Sequence, residues 1–328
     1  RAPSPEQGNE VSDTTCSDHL PPAAKSALYF SIVGLWAIHL ERGESPMKGI
    51  IIAAGYGTRF LPCTKTIPKE MFPLVNKPAI TFIIDEFLAS GIKDILIVTS
   101  RRKKALDDYF DREVELESVF MREGKTAQLG IIAPPDANIY FTRQQTMRGT
   151  GDAILLAESF AAGEPVCVAY PDDIVIGSDP LAAQLMRAAR GPEDCVLGVM
   201  AVPRDEVNRY GIITPGENGR VSGIIEKPPV DSAPSCLATI GRYILPPSIY
   251  PLLRAERERV TGGEFYHVGS VNTLAEQGLV CGTEFSGKRL DVGEPVGYVK
   301  AIMEYALSRP EWAGELRTWM KEQVADFR

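Results

Sequence analysis

The chain predicts an α/β fold, a mostly parallel mixed sheet flanked by helices, with a smaller β-rich part and C-terminal helices after it. Two features carry this reading. From Lys48 to Val202, short apolar runs suited to buried strands alternate with amphipathic stretches suited to helices. Such alternation builds a Rossmann-like sheet whose crossovers cover both faces. After Pro203 the rhythm changes to β segments joined directly by Gly and Pro turns. A length of 328 residues accommodates one large domain with an appendage.

The elements follow in order. Gly49 to Ala54 is a short apolar run and reads as a buried parallel strand. Pro78 to Ser90 is an amphipathic helix, with Ile80, Ile83, Ile84, Phe87 and Leu88 at helical spacing and Gly91 placed to end it. Asp94–Thr99 is the second strand. Arg101 to Arg122 is charged and predicts helix, with Leu106, Tyr109 and Phe110 on one face. Ile139–Thr142 predicts a strand, Asp152–Phe160 a helix, Pro165–Tyr170 a strand, Pro180–Arg190 a helix and Cys195–Val202 a strand. The β-rich part comprises Tyr210–Thr214, Val221–Glu226 and Leu237–Leu245. Helices over Ser248–Arg259 and Ser270–Gln277 follow, then a helical stretch from Pro295 to Arg328 broken near Pro310.

Residues 1–46 differ in character. Residues 1–26 are polar and Pro-rich, which predicts disorder. Ala27 to Leu40 is mostly apolar but short for a membrane span. Gly43-Glu44-Ser45 runs into Pro46 and makes a poor signal-cleavage site. Met47-Lys48 directly precedes the first strand and looks like a start, so 1–46 is expected to be a non-catalytic extension. A packing or membrane-surface helix is the lesser alternative.

Composition narrows the function. A net charge of −8 argues against a nucleic-acid partner, so an anionic ligand must be held by local cations. The six cysteines form no Cys-x-x-Cys pair, which suggests reduced thiols in a cytoplasmic protein. The three histidines lie far apart in sequence, against a histidine metal site.

The most informative stretch runs from Gly55 to Lys69. Gly55 and Gly57 leave the first strand and free backbone N–H groups to approach phosphate oxygens. Arg59 and Lys69 place two cations beside that loop. The loop lacks the Gly-Lys-Ser/Thr ending of a Walker A motif. Phe60 stands where a dinucleotide fingerprint needs a small residue, and the second strand ends in Thr99-Ser100 rather than an acid, so an NAD-dependent oxidoreductase is disfavoured.

Asp172, in Tyr170-Pro171-Asp172-Asp173, closes a parallel strand where a nucleotide would lie and suits Mg²⁺, which prefers one or two carboxylates plus phosphates and waters. A turn capped by Asp173 is the plain structural alternative. Glu226-Lys227 ends another strand. A carboxylate there can accept from vicinal sugar hydroxyls and the ammonium can pair with a phosphate, although a surface ion pair explains the dipeptide equally well. Gln144 to Ala153 forms a second glycine loop, with an amide suited to a base edge. Asp291-Val292-Gly293 alone reads as a turn.

Residues 55–69 match Gly-x-Gly-Thr-Arg-x-x-Pro-x-Thr-x-x-x-Pro-Lys at every fixed position, the signature of the sugar-nucleotide pyrophosphorylases. The continuation Lys69-Glu70-Met71-Phe72-Pro73-Leu74-Val75-Asn76-Lys77-Pro78 resembles the bacterial UTP–glucose-1-phosphate uridylyltransferase branch, whereas thymidylyltransferases usually differ after the Lys. The resemblance runs from about Met47 to Tyr305. It includes Tyr210-Gly211, Glu226-Lys227-Pro228, Gly241-Arg242-Tyr243 and Asp291-Val292-Gly293.

That resemblance implies a nucleotidyltransferase domain over 47–328: a nucleotide-binding part 47–203, a sugar-binding part 204–294 and C-terminal helices 295–328. It implies that UTP and glucose 1-phosphate give UDP-glucose and pyrophosphate. Ala53, Ala54, Gly55, Gly57 and Thr58 would hold the nucleotide, and Gln144 and Gly149 would read uracil. Arg59 and Lys69 would bind the β- and γ-phosphates, and Lys227 the sugar phosphate, as the catalytic cations. Glu226, with Gly211 and Gly241 allowing close approach, would hold the sugar, and Asp172 and Asp291 would hold Mg²⁺. A homo-oligomer without nucleic-acid or membrane partners is implied as well.

The chain departs from the family pattern twice. Gly151-Asp152-Ala153 replaces a common Gly-His-Ala, and Gly263-Glu264-Phe265-Tyr266-His267-Val268-Gly269-Ser270 replaces Gly-Glu-Ile-Gln-Leu-Thr-Asp-Ala. This leaves dTTP or another hexose 1-phosphate as an alternative. A non-catalytic homologue is the rival from another class, but Arg59, Lys69, Asp172 and Lys227 are all present.

Overall fold

The computed structural model describes residues 47–326. The expectations for 1–46 lie outside them. The described residues cluster as one unit.

In chain order the strands are β1 (Lys48–Ile52), β2 (Pro73–Leu74), β3 (Lys77–Pro78), β4 (Asp94–Thr99), β5 (Asn138–Arg143), β6 (Val166–Ala169), β7 (Asp173–Ile176), β8 (Cys195–Ala201), β9 (Gly211–Pro215), β10 (Val221–Glu226), β11 (Leu237–Leu245), β12 (Val280–Glu284) and β13 (Lys288–Asp291). The helices are α1 (Ala79–Ala89), α2 (Lys104–Phe110), α3 (Val114–Arg122), α4 (Thr126–Ile132), α5 (Thr150–Leu155), α6 (Glu158–Ala161), α7 (Leu181–Ala188), α8 (Ile249–Arg259), α9 (Val268–Glu276), α10 (Pro295–Ser308) and α11 (Pro310–Asp326). Among the described residues no helix is long and apolar enough to cross a membrane.

A nine-stranded sheet runs in the order β10-β9-β11-β6-β1-β4-β5, with β8 against β11 and β12 against β8. β6, β1, β4 and β5 are parallel neighbours. Their carboxyl ends therefore share one edge, where open α/β sheets bind ligands. β11 joins β6 antiparallel and carries β8 and β9 beside it. The sheet thus crosses the expected boundary at 203/204 without a break.

The core explains why these runs are strands. Ile50, Ile51, Ile95, Ile97, Val98, Val166 and Val168 are buried, as continuous β-branched runs in a doubly covered sheet should be. Each such side chain contributes about 1.5–3 kcal/mol of burial. Helix α1 buries Ile80, Ile83, Ile84 and Phe87 as its periodicity predicts. At Gly49 a Cβ would lie 2.5 Å from the Phe87 ring, so the first glycine lets α1 dock on β1.

Several expectations need correction. Arg101–Arg122 is not one helix: it breaks between Phe110 and Val114, and α4 follows unforeseen. Helices α3 and α4 bury no residue, so no apolar stripe announces them. Asp152–Phe160 splits into α5 and α6. The β7–β13 ribbon and β12 were not anticipated. They are short and mixed in polarity, and pairing with distant partners holds them rather than local pattern.

One polar interaction sits inside this core. Arg242, with 0% exposure, meets Glu86 of α1 through Nε–Oε1 and Nη2–Oε2 contacts of 2.8 Å each. Its Nη1 donates to Gly241 O at 2.9 Å and its Nη2 to Asp173 O at 3.2 Å. Glu86 Oε1 also accepts from Ala182 N of α7 at 3.0 Å. Breaking a buried pair strands one charge. Glu86→Gln or Arg242→Met should therefore cost about 3–5 kcal/mol of unfolding free energy, read by urea denaturation. A loss under about 1 kcal/mol, the level of an exposed pair, would contradict this role.

Candidate active site

The first glycine loop is held open from below. Gly57 adopts φ 68°, and its carbonyl accepts from Thr64 Oγ1 at 2.8 Å. A Cβ at Gly57 would lie 3.1 Å from Thr64, so both conformation and space require glycine. Arg59 turns back to donate from Nη1 to Gly293 O at 3.3 Å. Lys69 donates to Asp172 Oδ2 at 2.5 Å. Loop cations and strand-end acids thus come together across 234 and 103 residues of sequence.

The charges tune one another. Burial alone would lower the Lys69 ammonium pKa, but the carboxylates of Asp172 and Glu70 outweigh it, and the pKa rises. Burial opposes ionisation of Asp172, yet Lys69 and Arg289 bring its pKa below the usual value. Asp173 goes the other way: burial, with Asp172 and Asp291 nearby, raises its pKa against the pull of Arg289. Arg289 grips Asp173 and donates to Asp291 Oδ2 at 3.3 Å. Asp172 is therefore the acid of this turn held ionised.

Asp291 ends β13 and reaches the same place. A Cβ at Gly293 would lie 2.9 Å from Asp172 Oδ2 and 3.2 Å from Asp291 Oδ1. Two hard oxygen donors around one bare glycine fit a divalent cation such as Mg²⁺. Among the described residues no group of three or more His, Cys, Asp or Glu is placed to hold a metal ion.

Ala53 and Ala54 are both buried where β1 runs into the loop. Ala53 donates its N–H to Val98 O at 2.8 Å and accepts from Lys103 Nζ at 2.6 Å. Gly55 and Thr58 are exposed at the mouth of the loop.

The second glycine loop is tied to the segment that departs from the family pattern. Gln144 is buried, and its Nε2 donates to Gly149 O at 3.1 Å and Asp152 Oδ2 at 3.0 Å. Gly149, at φ 100°, lies under Phe265: a Cβ would sit 2.4 Å from Phe265 O. Gly151 lies under the Phe265 ring and donates its N–H to Phe265 O at 3.0 Å. His267, 5% exposed, places Nδ1 3.0 Å from Thr150 Oγ1 and stacks edge-on with Tyr243. Its Nε2 is buried without a partner.

On the remaining side Glu226 and Lys227 lie 3.3 Å apart at the end of β10, and Lys227 adopts φ 47°. Gly211 faces Glu226: a Cβ would lie 3.1 Å from Glu226 Oε2. Gly241 behaves differently. The space for its Cβ is taken by Tyr170 and Asp173 Oδ2, and its N–H donates to Asp173 at 2.8 Å. Packing against Tyr170 and Asp173 therefore already requires glycine at this position. Burial pushes the Tyr170 phenol well above its ordinary pKa, and the nearby negative charges of Asp172 and Glu226 add to that rise.

Sequence reasoning missed Lys103, Glu70, Arg289 and His267. Lys103 lay in the run Arg101-Arg102-Lys103-Lys104, read as the start of a charged helix. The one available signal was its position just past the carboxyl end of β4.

The chain is similar in sequence and fold to known proteins. The model of the family described as Nucleotidyl transferase matches residues 48–308. A UTP–glucose-1-phosphate uridylyltransferase of Staphylococcus epidermidis is 41% identical over 281 residues, covering 84% of this chain and 97% of that protein. A UTP-bound UGPase of Acinetobacter baumannii superposes with a TM-score of 0.76 at 32% identity, over 84% of this chain and 99% of that one. A UDP-glucose pyrophosphorylase complexed with UDP-glucose gives 0.70 at 36% identity, over 80% and 99%.

His267 yields a stability prediction. Burial pushes its imidazole from an ordinary 6.5 down to about 4. The unfolded chain therefore binds this proton first as pH falls. Stability is full above pH 6.5 and is lost between 6.5 and about 4. The loss is about 3 kcal/mol. His267→Leu should remove that part of the slope, so urea denaturation at pH 7 and pH 4.5 should show a smaller loss than wild type. Equal slopes would mean the imidazole is not held neutral.

Proposed function

The chain belongs to the nucleotidyl transferase family, and we propose that it acts as a UTP–glucose-1-phosphate uridylyltransferase. UTP and glucose 1-phosphate would give UDP-glucose and pyrophosphate. The observation that carries this reading is the meeting of Arg59, Lys69, Asp172 and Asp291 at the carboxyl edge of the parallel strands. The solved UTP and UDP-glucose complexes of similar proteins support it.

A sugar phosphate oxygen attacks the α-phosphorus in line and pyrophosphate leaves, so the protein's task is positioning and charge neutralisation. The bare N–H groups from Ala54 to Thr58 hold the triphosphate. Arg59 and Lys69 neutralise the β- and γ-phosphates and the charge that grows on the leaving group. Gln144, with Gly149, faces the uracil. Its NH₂ is already committed inward, so Oε1 is the atom it offers a base. Glu226 accepts from glucose hydroxyls beside Gly211, and Lys227 pairs with the sugar phosphate. Asp172 and Asp291 would hold Mg²⁺, which supplies further neutralisation of phosphate charge when bound. By this reading residues 47–203 serve the nucleotide and 204–294 the sugar. A cytoplasmic homo-oligomer fits the unpaired cysteines and the family.

Pyrophosphate release with Mg²⁺, across five nucleotides and several hexose 1-phosphates, tests the assignment. Release should be fastest with UTP and glucose 1-phosphate; a different best pair would move the specificity and overturn the assignment. Arg59→Ala and Lys227→Ala should each lower turnover by roughly 10²–10³. A folded variant with near-normal turnover would remove that residue from the mechanism.

A further inference from the structure

Beneath the first glycine loop lies an ion pair that the proposed reaction does not use. Lys103 is 5% exposed and Glu70 2%. Lys103 Nζ donates to Glu70 Oε1 at 2.7 Å and to Ala53 O at 2.6 Å. Those two acceptors are the residue beside Lys69 and the residue where β1 ends and the loop begins. Lys103 itself is fixed from β4, since its N–H donates to Ser100 O at 3.0 Å. One ammonium thus joins three pieces of chain that must agree for the phosphate grip to form.

The charges order themselves along this contact. Lys103, Glu70, Lys69 and Asp172 alternate in sign, with 2.7 Å and 2.5 Å contacts at the two ends. Glu70's charge also bears on Lys69, and Lys69's on Lys103. Two carboxylates therefore compete for one catalytic ammonium. Lys103 occupies Glu70, and Lys69 is left to Asp172. Glu70 Oε2 is buried without a partner, so Glu70 deprived of Lys103 must find another cation. The adjacent Lys69 is the cation at hand.

We infer that Lys103 is a positioning residue, which keeps Lys69 directed at Asp172 and the phosphates by neutralising Glu70. This rests on the role proposed above for Lys69. Loss of Lys103 should draw Lys69 toward Glu70 and misplace it for the leaving pyrophosphate. Loss of both members of the buried pair removes the competitor along with its restraint, and should return Lys69 to Asp172.

The test compares Lys103→Met, Glu70→Gln/Lys103→Met and Lys103→Arg by steady-state pyrophosphate release and by crystal structures without substrate. Lys103→Met should lower kcat by roughly 10- to 100-fold, the scale of an ångström-sized misplacement, with a smaller change in the KM for UTP. The double variant should recover most of that loss, and Lys103→Arg should retain more activity than Lys103→Met. In the crystals Lys69 should leave Asp172 in Lys103→Met and return in the double variant. The inference is overturned if folded Lys103→Met keeps its kcat, if the double variant is no more active than the single, or if Lys69 stays on Asp172 in Lys103→Met. Should Lys103→Met fail to fold, an active double variant with Lys69 on Asp172 supports the inference, and an inactive one sinks it. Wild type that releases no pyrophosphate from UTP and glucose 1-phosphate would overturn the proposed reaction instead, while the position of Lys69 in the crystals would still decide this inference.

Discussion

The guanidinium of Arg242 holds the place where the sheet changes character. On one side lie the parallel strands β6, β1, β4 and β5; on the other lies antiparallel β11 with its neighbours. Arg242 leaves β11, meets Glu86 on α1 and caps Asp173 O in the turn after β6. That turn presents Asp172. Glu86 in turn receives Ala182 N of α7, so strand, helix and turn share one buried charge pair. A hydrophobic contact could stabilise such a junction equally well. A bidentate pair with two carbonyl acceptors also fixes orientation, because the guanidinium's planar donors admit few arrangements. The position of Asp172 inherits that definition.

The same logic runs through the site on a smaller scale. The chain is acidic, at a formal −8, yet must bind a polyanion. It does so with pairs rather than with a field. Lys69 faces Asp172, Arg289 faces Asp173 and Asp291, and Lys103 faces Glu70. Lys69 and Arg289 are buried beside acids that outweigh the burial and raise their pKa values, whereas at Lys103 burial outweighs Glu70 and lowers it. An arriving triphosphate and its divalent ion can replace these internal partners without creating an unpaired buried charge. Arg59 and Lys227 are exposed by comparison, and Lys227 lies 3.3 Å from Glu226.

Much of this was legible in the sequence because it is local. Gly55 to Lys69 states its chemistry in fifteen consecutive positions of a known pattern, and apolar runs place β1, β4, β6, β8 and β11. Position just past β6 and at the end of β10 is what singled out Asp172 and Glu226. What escaped depends on partners distant in the chain. Asp173–Ile176 becomes a strand only because Lys288–Asp291 lies beside it. Lys103 is buried only because Glu70, across 33 residues, is there to meet it. Gly241 is required by Tyr170 and Asp173, which crowd the space of a Cβ from elsewhere in the chain. Charge and glycine patterns name a residue's options; the tertiary neighbour decides among them.

The two departures from the family pattern are a single feature in three dimensions. Asp152 and the segment around Phe265 are far apart in sequence, yet both act on the loop from Gln144 to Gly151. Asp152 can only accept, so it turns the Gln144 amide with its NH₂ inward. Phe265 covers Gly149 and Gly151 and binds the loop backbone from both directions, to Arg148 O and from Gly151 N. His267 reaches Thr150 on the same loop. The first glycine loop, with its cations and acids, touches none of these residues through a described hydrogen bond. The departures have therefore collected around the second glycine loop, proposed above to face the base, while the first glycine loop keeps every fixed position of its pattern. That division is what a fixed reaction with an adjustable substrate requires, since phosphate charge is common to all substrates of the class and the base and hexose are not.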